Sequence, residues 1–286
     1  MTRLPVIAQR AESLLGASVV ATAPVAGGDI STATRLRLSD GTTALVKTYP
    51  QAPEGFFDAE ARGLRWLAEA GGVACPEVLG CDDECLILRW IEPTPKHQPD
   101  AAISFGAALA ATHQAGASAY GAAHDGFIGK LPLPNRTAPT WAEFFATRRV
   151  LPYLKLARDR GMATSDDAAT VESVIGRLPD LLPEEPPSRL HGDLWNGNVL
   201  WGLDGVVRVI DPAAYGGHRE ADLAMLALFG LPHLPRVMDA YTEAAPLTDG
   251  WEERLPLHQL FPLLVHACMF GGGYAARAAA VAARFA

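Results

Sequence analysis

Hydrophobic and polar positions follow different rhythms in successive stretches of the chain. Over residues 1–20, Ile7, Leu14 and Leu15 fall on one side of a helical repeat, which predicts an amphipathic helix. Leu36 and Leu38 then alternate with Arg35 and Arg37, Asp40-Gly41 supplies a hairpin turn, and Ala44 and Val46 resume an extended run. That pattern predicts two antiparallel strands, with Gly27-Gly28 just before them. Residues 55–70 return to helical spacing and stop at Gly71-Gly72. Pro76 to Leu79 and Cys85 to Ile91 predict two further short strands.

Glu92-Pro93-Thr94-Pro95 interrupts this pattern, and from Ser104 onward the spacing is mostly helical. Helical stretches fall near 101–116, 140–160, 165–178, 219–229, 234–244 and 256–285. Residues 186–212 differ, with two short strands predicted around a loop dense in His, Asp and Asn and a turn at Asp204-Gly205. The expectation is an α+β fold in two lobes: a small antiparallel sheet with one helix over residues 1–92, and a mostly helical lobe over 93–286.

Composition narrows the class without choosing a chemistry. With 49% hydrophobic and 20% charged residues over 286 positions, the chain can build a sizeable core, which excludes disorder, collagen and coiled coil. No apolar run approaches the ~20 residues of a membrane span, and the first residues lack a secretory apolar stretch, so the expected location is cytoplasmic. A formal net charge of −8 without a basic run argues against nucleic acid. Cys75, Cys81, Cys85 and Cys268 lack the paired spacing of a zinc site and read as reduced thiols.

Chemistry concentrates between 191 and 211. In His191-Gly192-Asp193 the carboxylate can accept a hydroxyl proton, while Asn198 and Asp211 offer oxygen atoms to a hard cation such as Mg²⁺. One base to orient an acceptor and a metal to bridge a triphosphate are what phosphoryl transfer needs. A polar hairpin loop whose side chains cap turns is the plainer alternative. A hydrolytic metal site recruiting His218, Glu220 and Asp222 is another, although closing the loop after Asp211 suits those three better.

The small lobe supplies matching parts for ATP. No Walker-type glycine loop is present, but the Gly27-Gly28 turn could bring amides to phosphate. Lys47 sits on an apolar strand and Glu60 among Phe56, Leu64 and Leu67 on one helix face, so an ion pair between them would hold the lysine against the phosphates. Leu88, Arg89 and Trp90 occupy the position of a hinge whose backbone would meet the adenine edge.

At this point the chain resembles the protein-kinase-like phosphotransferases, and more narrowly the fructosamine kinase (ketosamine-3-kinase) family. The segment LHGDLWNGN at 190–198 carries the resemblance most specifically, since Trp195 extends a skeleton shared with aminoglycoside and choline kinases. Asp211-Pro212-Ala213, Gly217 to Glu220 with Asp222-Leu223-Ala224, Gly126 to Gly129, Trp141 to Phe145, and His266 with Phe270 to Tyr274 are similar to further family segments. The resemblance implies Asp193 as catalytic base, Asn198 and Asp211 as magnesium ligands, and Lys47 with Glu60 as the pair that positions ATP. It also implies Trp195 and His266 as walls of a sugar-amine pocket. The implied activity is ATP-dependent phosphorylation of a ketoamine, at O3 in the better-known members, after which the unstable product releases its amine. Asp29 stands where many eukaryotic relatives carry a cysteine, so their redox control does not carry over. The same fold could instead serve an aminoglycoside, choline or homoserine-like acceptor, or a nucleotide-binding scaffold without turnover.

Overall fold

The computed structural model describes residues 6–26 and 30–286. Gly27 and Gly28, the expected phosphate-facing turn, and Asp29 lie outside the described residues. Helix α1 (Val6–Leu15) leads into β1 (Val19–Val25), β2 (Thr32–Leu38), β3 (Thr43–Thr48), α2 (Phe56–Glu69), β4 (Val78–Cys81) and β5 (Cys85–Arg89). The strands form one five-stranded antiparallel sheet in the order β1-β2-β3-β5-β4.

The central strands are apolar on both faces, so both faces need a cover. Ala44 and Val46 of β3 pack with Cys85 and Ile87 of β5 toward Ala8 and Ala11 of α1. Leu45, Leu86 and Leu88 pack on the other side against Phe57, Ala61 and Leu64 of α2. Side chains alternate along a strand, so Lys47 shares the α2 face with Leu45. Burying a side chain such as Leu64 contributes about 1.5–3 kcal/mol, which fixes α2 on this face. The N-terminal helix ends at Leu15, before the expected residue 20, because the β-branched Val19, Val20 and Thr22 run extended as edge strand β1.

The second lobe begins with α3 (Pro99–Gln114) and a small hairpin of β6 (Gly126–Ile128) and β7 (Leu131–Leu133). Next come α4 (Trp141–Phe144), a π-helical turn at Phe145–Val150, α5 (Leu151–Asp159), α6 (Ser165–Ile175) and α7 (Leu178–Leu181). The strands β8 (Ser188–Leu190), β9 (Val199–Trp201), β10 (Val207–Val209) and β11 (Tyr215–Gly217) follow. β9 pairs with β10 and β8 with β11, both antiparallel. The lobe ends with α8 (Glu220–Phe229), α9 (Leu234–Ala244), α10 (Trp251–His258), α11 (Leu260–Phe270) and α12 (Tyr274–Ala282).

One core of this lobe gathers α3, α9, β9 and β10; the other gathers the helices from α4 to α6 with α11 and α12. At Gly106 a Cβ would lie 2.3 Å from the Val237 carbonyl oxygen, so α3 and α9 meet backbone to backbone. The stretch expected as one helical run over 256–285 is divided by Gln259 and by Gly271 to Gly273. Among the described residues no helix is long and apolar enough to cross a membrane.

Candidate active site

The loop after β8 is built on Asp222, two residues into α8. Its carboxylate accepts from the His191 N–H at 2.8 Å and the Gly192 N–H at 2.9 Å, and His113 Nε2 stands 3.2 Å away. His113 Nδ1 lies 2.7 Å from the Tyr241 hydroxyl, so a buried chain from α9 through α3 orients the carboxylate. Burial alone would raise the Asp222 pKa, but the hydrogen bonds and His113 hold it below the ordinary value. Gly192 takes φ +80°, and a Cβ there would come within 2.1 Å of the Ala213 carbonyl oxygen. No other residue type fits that turn.

The same loop fixes the tautomer of His191. Its Nδ1 accepts from the Asp193 N–H at 3.2 Å, which leaves Nε2–H to donate to the Ile210 carbonyl at 2.9 Å. Burial depresses its pKa, and the ring is a neutral structural element. Asp193 itself is pushed up to about 7, by burial first and the nearby Asp211 carboxylate second, against the opposing hydrogen bond from Asn198. Asn198 Nδ2 donates to the Asp193 carbonyl at 2.9 Å and to its Oδ2 at 3.0 Å. With its nitrogen so engaged, Asn198 offers Oδ1 to a cation.

Asp211 reaches the site from the end of β10 with φ 55°, in the left-handed region that a short polar residue tolerates. Its Oδ1 accepts from Lys47 Nζ at 2.9 Å, and Glu60 accepts from the same Nζ at 2.7 Å. Burial would lower the Lys47 pKa, but Glu60 and Asp211 together hold it above the ordinary lysine value. The expected Lys47–Glu60 pair is therefore present, and Asp211 from the second lobe joins it.

These groups line one cleft of about 1190 Å³. Leu88, Arg89 and Trp90 lie along it, and the Arg89 side chain turns to Glu77, with Nε donating at 2.6 Å. At another part of the cleft, Trp195 meets Phe229 edge-on, their centroids 6.0 Å apart. His266 stands 4.9 Å from Phe229 and 5.4 Å from Phe270 by ring centroids. His266 Nδ1 lies 2.8 Å from the Pro262 carbonyl oxygen and donates to it, which turns the Nε2 lone pair outward from that bond, and burial lowers the ring's pKa.

Sequence reasoning assigned no site role to Tyr215, Asn135 or Phe127, which also line the cleft. Their strands are three residues long or end beside one, too short for a periodic signal. The metal alternative fares differently. Asp222 serves the catalytic loop, while Glu220 accepts from Arg254 at 2.6 Å and faces His258 Nε2 at 3.3 Å. His218 stacks on His258 at 5.1 Å, and burial pushes its pKa down to about 4. The cluster of His218, Glu220 and His258 thus has an arginine as its cation. All four cysteines are free, with burial pushing Cys75 and Cys85 up to about 12.

A two-lobe α+β fold with this loop and this lysine–carboxylate pair defines a protein-kinase-like phosphotransferase. The chain belongs to the fructosamine kinase family, whose sequence model matches residues 4–285. It is 40% identical over 252 residues to a probable ketoamine kinase of Thermus thermophilus, covering 88% of each chain. A solved structure from Thermobifida fusca that carries the fructosamine-3-kinase name is 51% identical, covers 97% of each chain and superposes with a TM-score of 0.90. An aminoglycoside phosphotransferase solved with ADP and hygromycin B is 17% identical, covers 98% of each chain with a TM-score of 0.68, and shares the fold.

Proposed function

We propose that the protein is an ATP- and Mg²⁺-dependent kinase that phosphorylates a sugar hydroxyl of a ketosamine, of the fructosamine or ribulosamine type, and so serves in deglycation of amines. Residues 1–92 would act as the nucleotide lobe and 93–286 as the catalytic and acceptor lobe. The observation that carries this reading is the meeting of Lys47, Glu60, Asp193, Asn198 and Asp211 in one cleft that also holds Trp195 and His266.

The donor set fits the cofactor. Asn198 Oδ1 and the Asp211 carboxylate are oxygen ligands of the kind Mg²⁺ prefers, and Lys47 is a buried, permanently charged partner for phosphate oxygens. The magnesium ion with ATP would supply charge neutralisation on the transferred phosphoryl group.

The chain's own residues divide the remaining work. Glu60 holds Lys47 in place, and Leu88, Arg89 and Trp90 offer backbone to the base. Asp193 takes the proton of the attacking sugar hydroxyl on its Oδ1, since Oδ2 is engaged by Asn198. A pKa near 7 suits that task at neutral pH. Trp195 and the neutral His266 present aromatic faces and one acceptor nitrogen to the sugar-amine.

A panel of fructosyl-lysine, ribulosyl-lysine, hygromycin-type aminoglycosides, choline and homoserine tests the acceptor. With ATP and Mg²⁺, the ketoamines should lead in kcat/KM. Aminoglycoside turnover without ketoamine turnover would overturn the assignment.

A further inference from the structure

Arg149 is fully buried inside the π-helical turn at Phe145–Val150. Among the described residues its guanidinium hydrogen-bonds only to neutral groups. Nη1 donates to the Pro134 carbonyl at 2.6 Å and to the Arg148 carbonyl at 3.2 Å, Nη2 donates to Asn135 Oδ1 at 2.6 Å, and Nε has no partner. The group lies 3.9 Å from the Tyr215 ring centroid and 5.4 Å from that of Phe261. A buried cation held by carbonyls and π faces is costly compared with an apolar side chain of similar size. Simple core filling does not account for it.

What the guanidinium grips does account for it. Pro134 and Asn135 directly follow the β6–β7 hairpin, whose strands have three residues each and cannot hold themselves. The hairpin is tied down at a second point by the Tyr153 hydroxyl, which donates to the Pro132 carbonyl at 2.7 Å. Asn135 is clamped further, its N–H donating to Asp125 Oδ1 at 2.7 Å and its Nδ2 to the His124 carbonyl at 3.2 Å. At the hairpin's tip, a Cβ on Gly129 would fall 2.7 Å from Met269 Sδ, and Met269 lines the cleft beside His266. On its other side Arg149 meets Tyr215, whose Cε1 would lie 2.8 Å from a Cβ at Gly192. The guanidinium therefore bridges the hairpin and the loop that carries Asp193. π-Helical turns recur at functional sites, and this one brings a charge into the core.

We propose that Arg149 is a positioning residue that fixes the acceptor wall of the cleft, by gripping the base of the β6–β7 hairpin and the Tyr215 ring at a set spacing around the ketoamine. The inference rests on the acceptor assignment made above. It predicts that acceptor binding, and not nucleotide binding, depends on this buried contact.

Two variants test it. Arg149→Lys keeps the charge but cannot span both acceptors and stack on Tyr215. Arg149→Met fills a similar volume without the cation or its hydrogen bonds, so it is expected to fold and serves if the lysine variant does not. Amide hydrogen exchange over residues 126–135 should quicken about tenfold or more in either variant relative to α3 and α9. The KM for fructosyl-lysine should rise about five- to tenfold while the KM for ATP stays within about twofold. A general loosening of the core would move both KM values and exchange throughout the lobe together, and that result would overturn the proposal. So would unchanged exchange over 126–135. If the wild-type protein does not turn over fructosyl-lysine, the acceptor assignment falls, and the exchange data alone still decide whether Arg149 anchors the hairpin.

Discussion

Asp193 combines a burial cost with the role of base proposed for it. Its pKa of about 7 lies above the ~3.9 of an unfolded chain, so the protonated form is the one the fold prefers. The stability this contributes is fully present below about pH 4 and is lost as pH rises through about 7. Asp193→Asn should therefore be more stable than wild type at pH 8, by about 2–4 kcal/mol, and match it near pH 4. The same substitution should lower kcat by about 10²–10⁴ while leaving ATP binding intact. Thermal melts at the two pH values and single-turnover kinetics check both halves. A variant that is no more stable at pH 8 would contradict the buried anion, and one with full activity would contradict the base.

At the scale of elements, α8 matters because Asp222 lies in its first turn and accepts from two N–H groups of the 191–198 loop. Asp222→Ala would leave the His191 and Gly192 N–H groups and His113 without their acceptor, and should cost about 3–5 kcal/mol in urea unfolding. A loss below about 1 kcal/mol would mean that the loop holds itself. Elements of this kind differ in how far their sequence betrays them. The β3 and α2 pair is legible because Lys47 and Glu60 each interrupt an apolar face, and the 191–211 loop is legible because its chemistry is local in sequence. Strand β1 is not, since only Val19 of its residues is buried and no period of two appears. The β6–β7 hairpin is not, because contacts of Arg149 and Tyr153 with the Pro134 and Pro132 carbonyls hold it rather than any pattern of its own, and β11 is three residues paired with the equally short β8. The break between α10 and α11 at Gln259 carries no glycine to mark it, whereas the one before α12 is written in Gly271 to Gly273, through which the helical reading of 256–285 ran.

Across the whole molecule, the two lobes meet at residues to which the proposed chemistry is assigned. Lys47 from the sheet bonds to Asp211 from the second lobe, and a Cβ on Gly63 of α2 would lie 3.1 Å from Pro212 Cγ. A ligand that engages both sides stabilises the folded state by mass action, so Mg²⁺ with ATP at 100 times its Kd should add about 2.7 kcal/mol. Lys47→Met should abolish most of that thermal shift; an undiminished shift would place the nucleotide elsewhere. The most direct measurement of the central claim is incubation of the protein with fructosyl-lysine, ATP and Mg²⁺, followed by phosphorus and carbon NMR of the product. Phosphate on a sugar hydroxyl of the ketoamine, absent in Asp193→Asn, is the predicted result. ATP consumption without a phosphorylated ketoamine would contradict it.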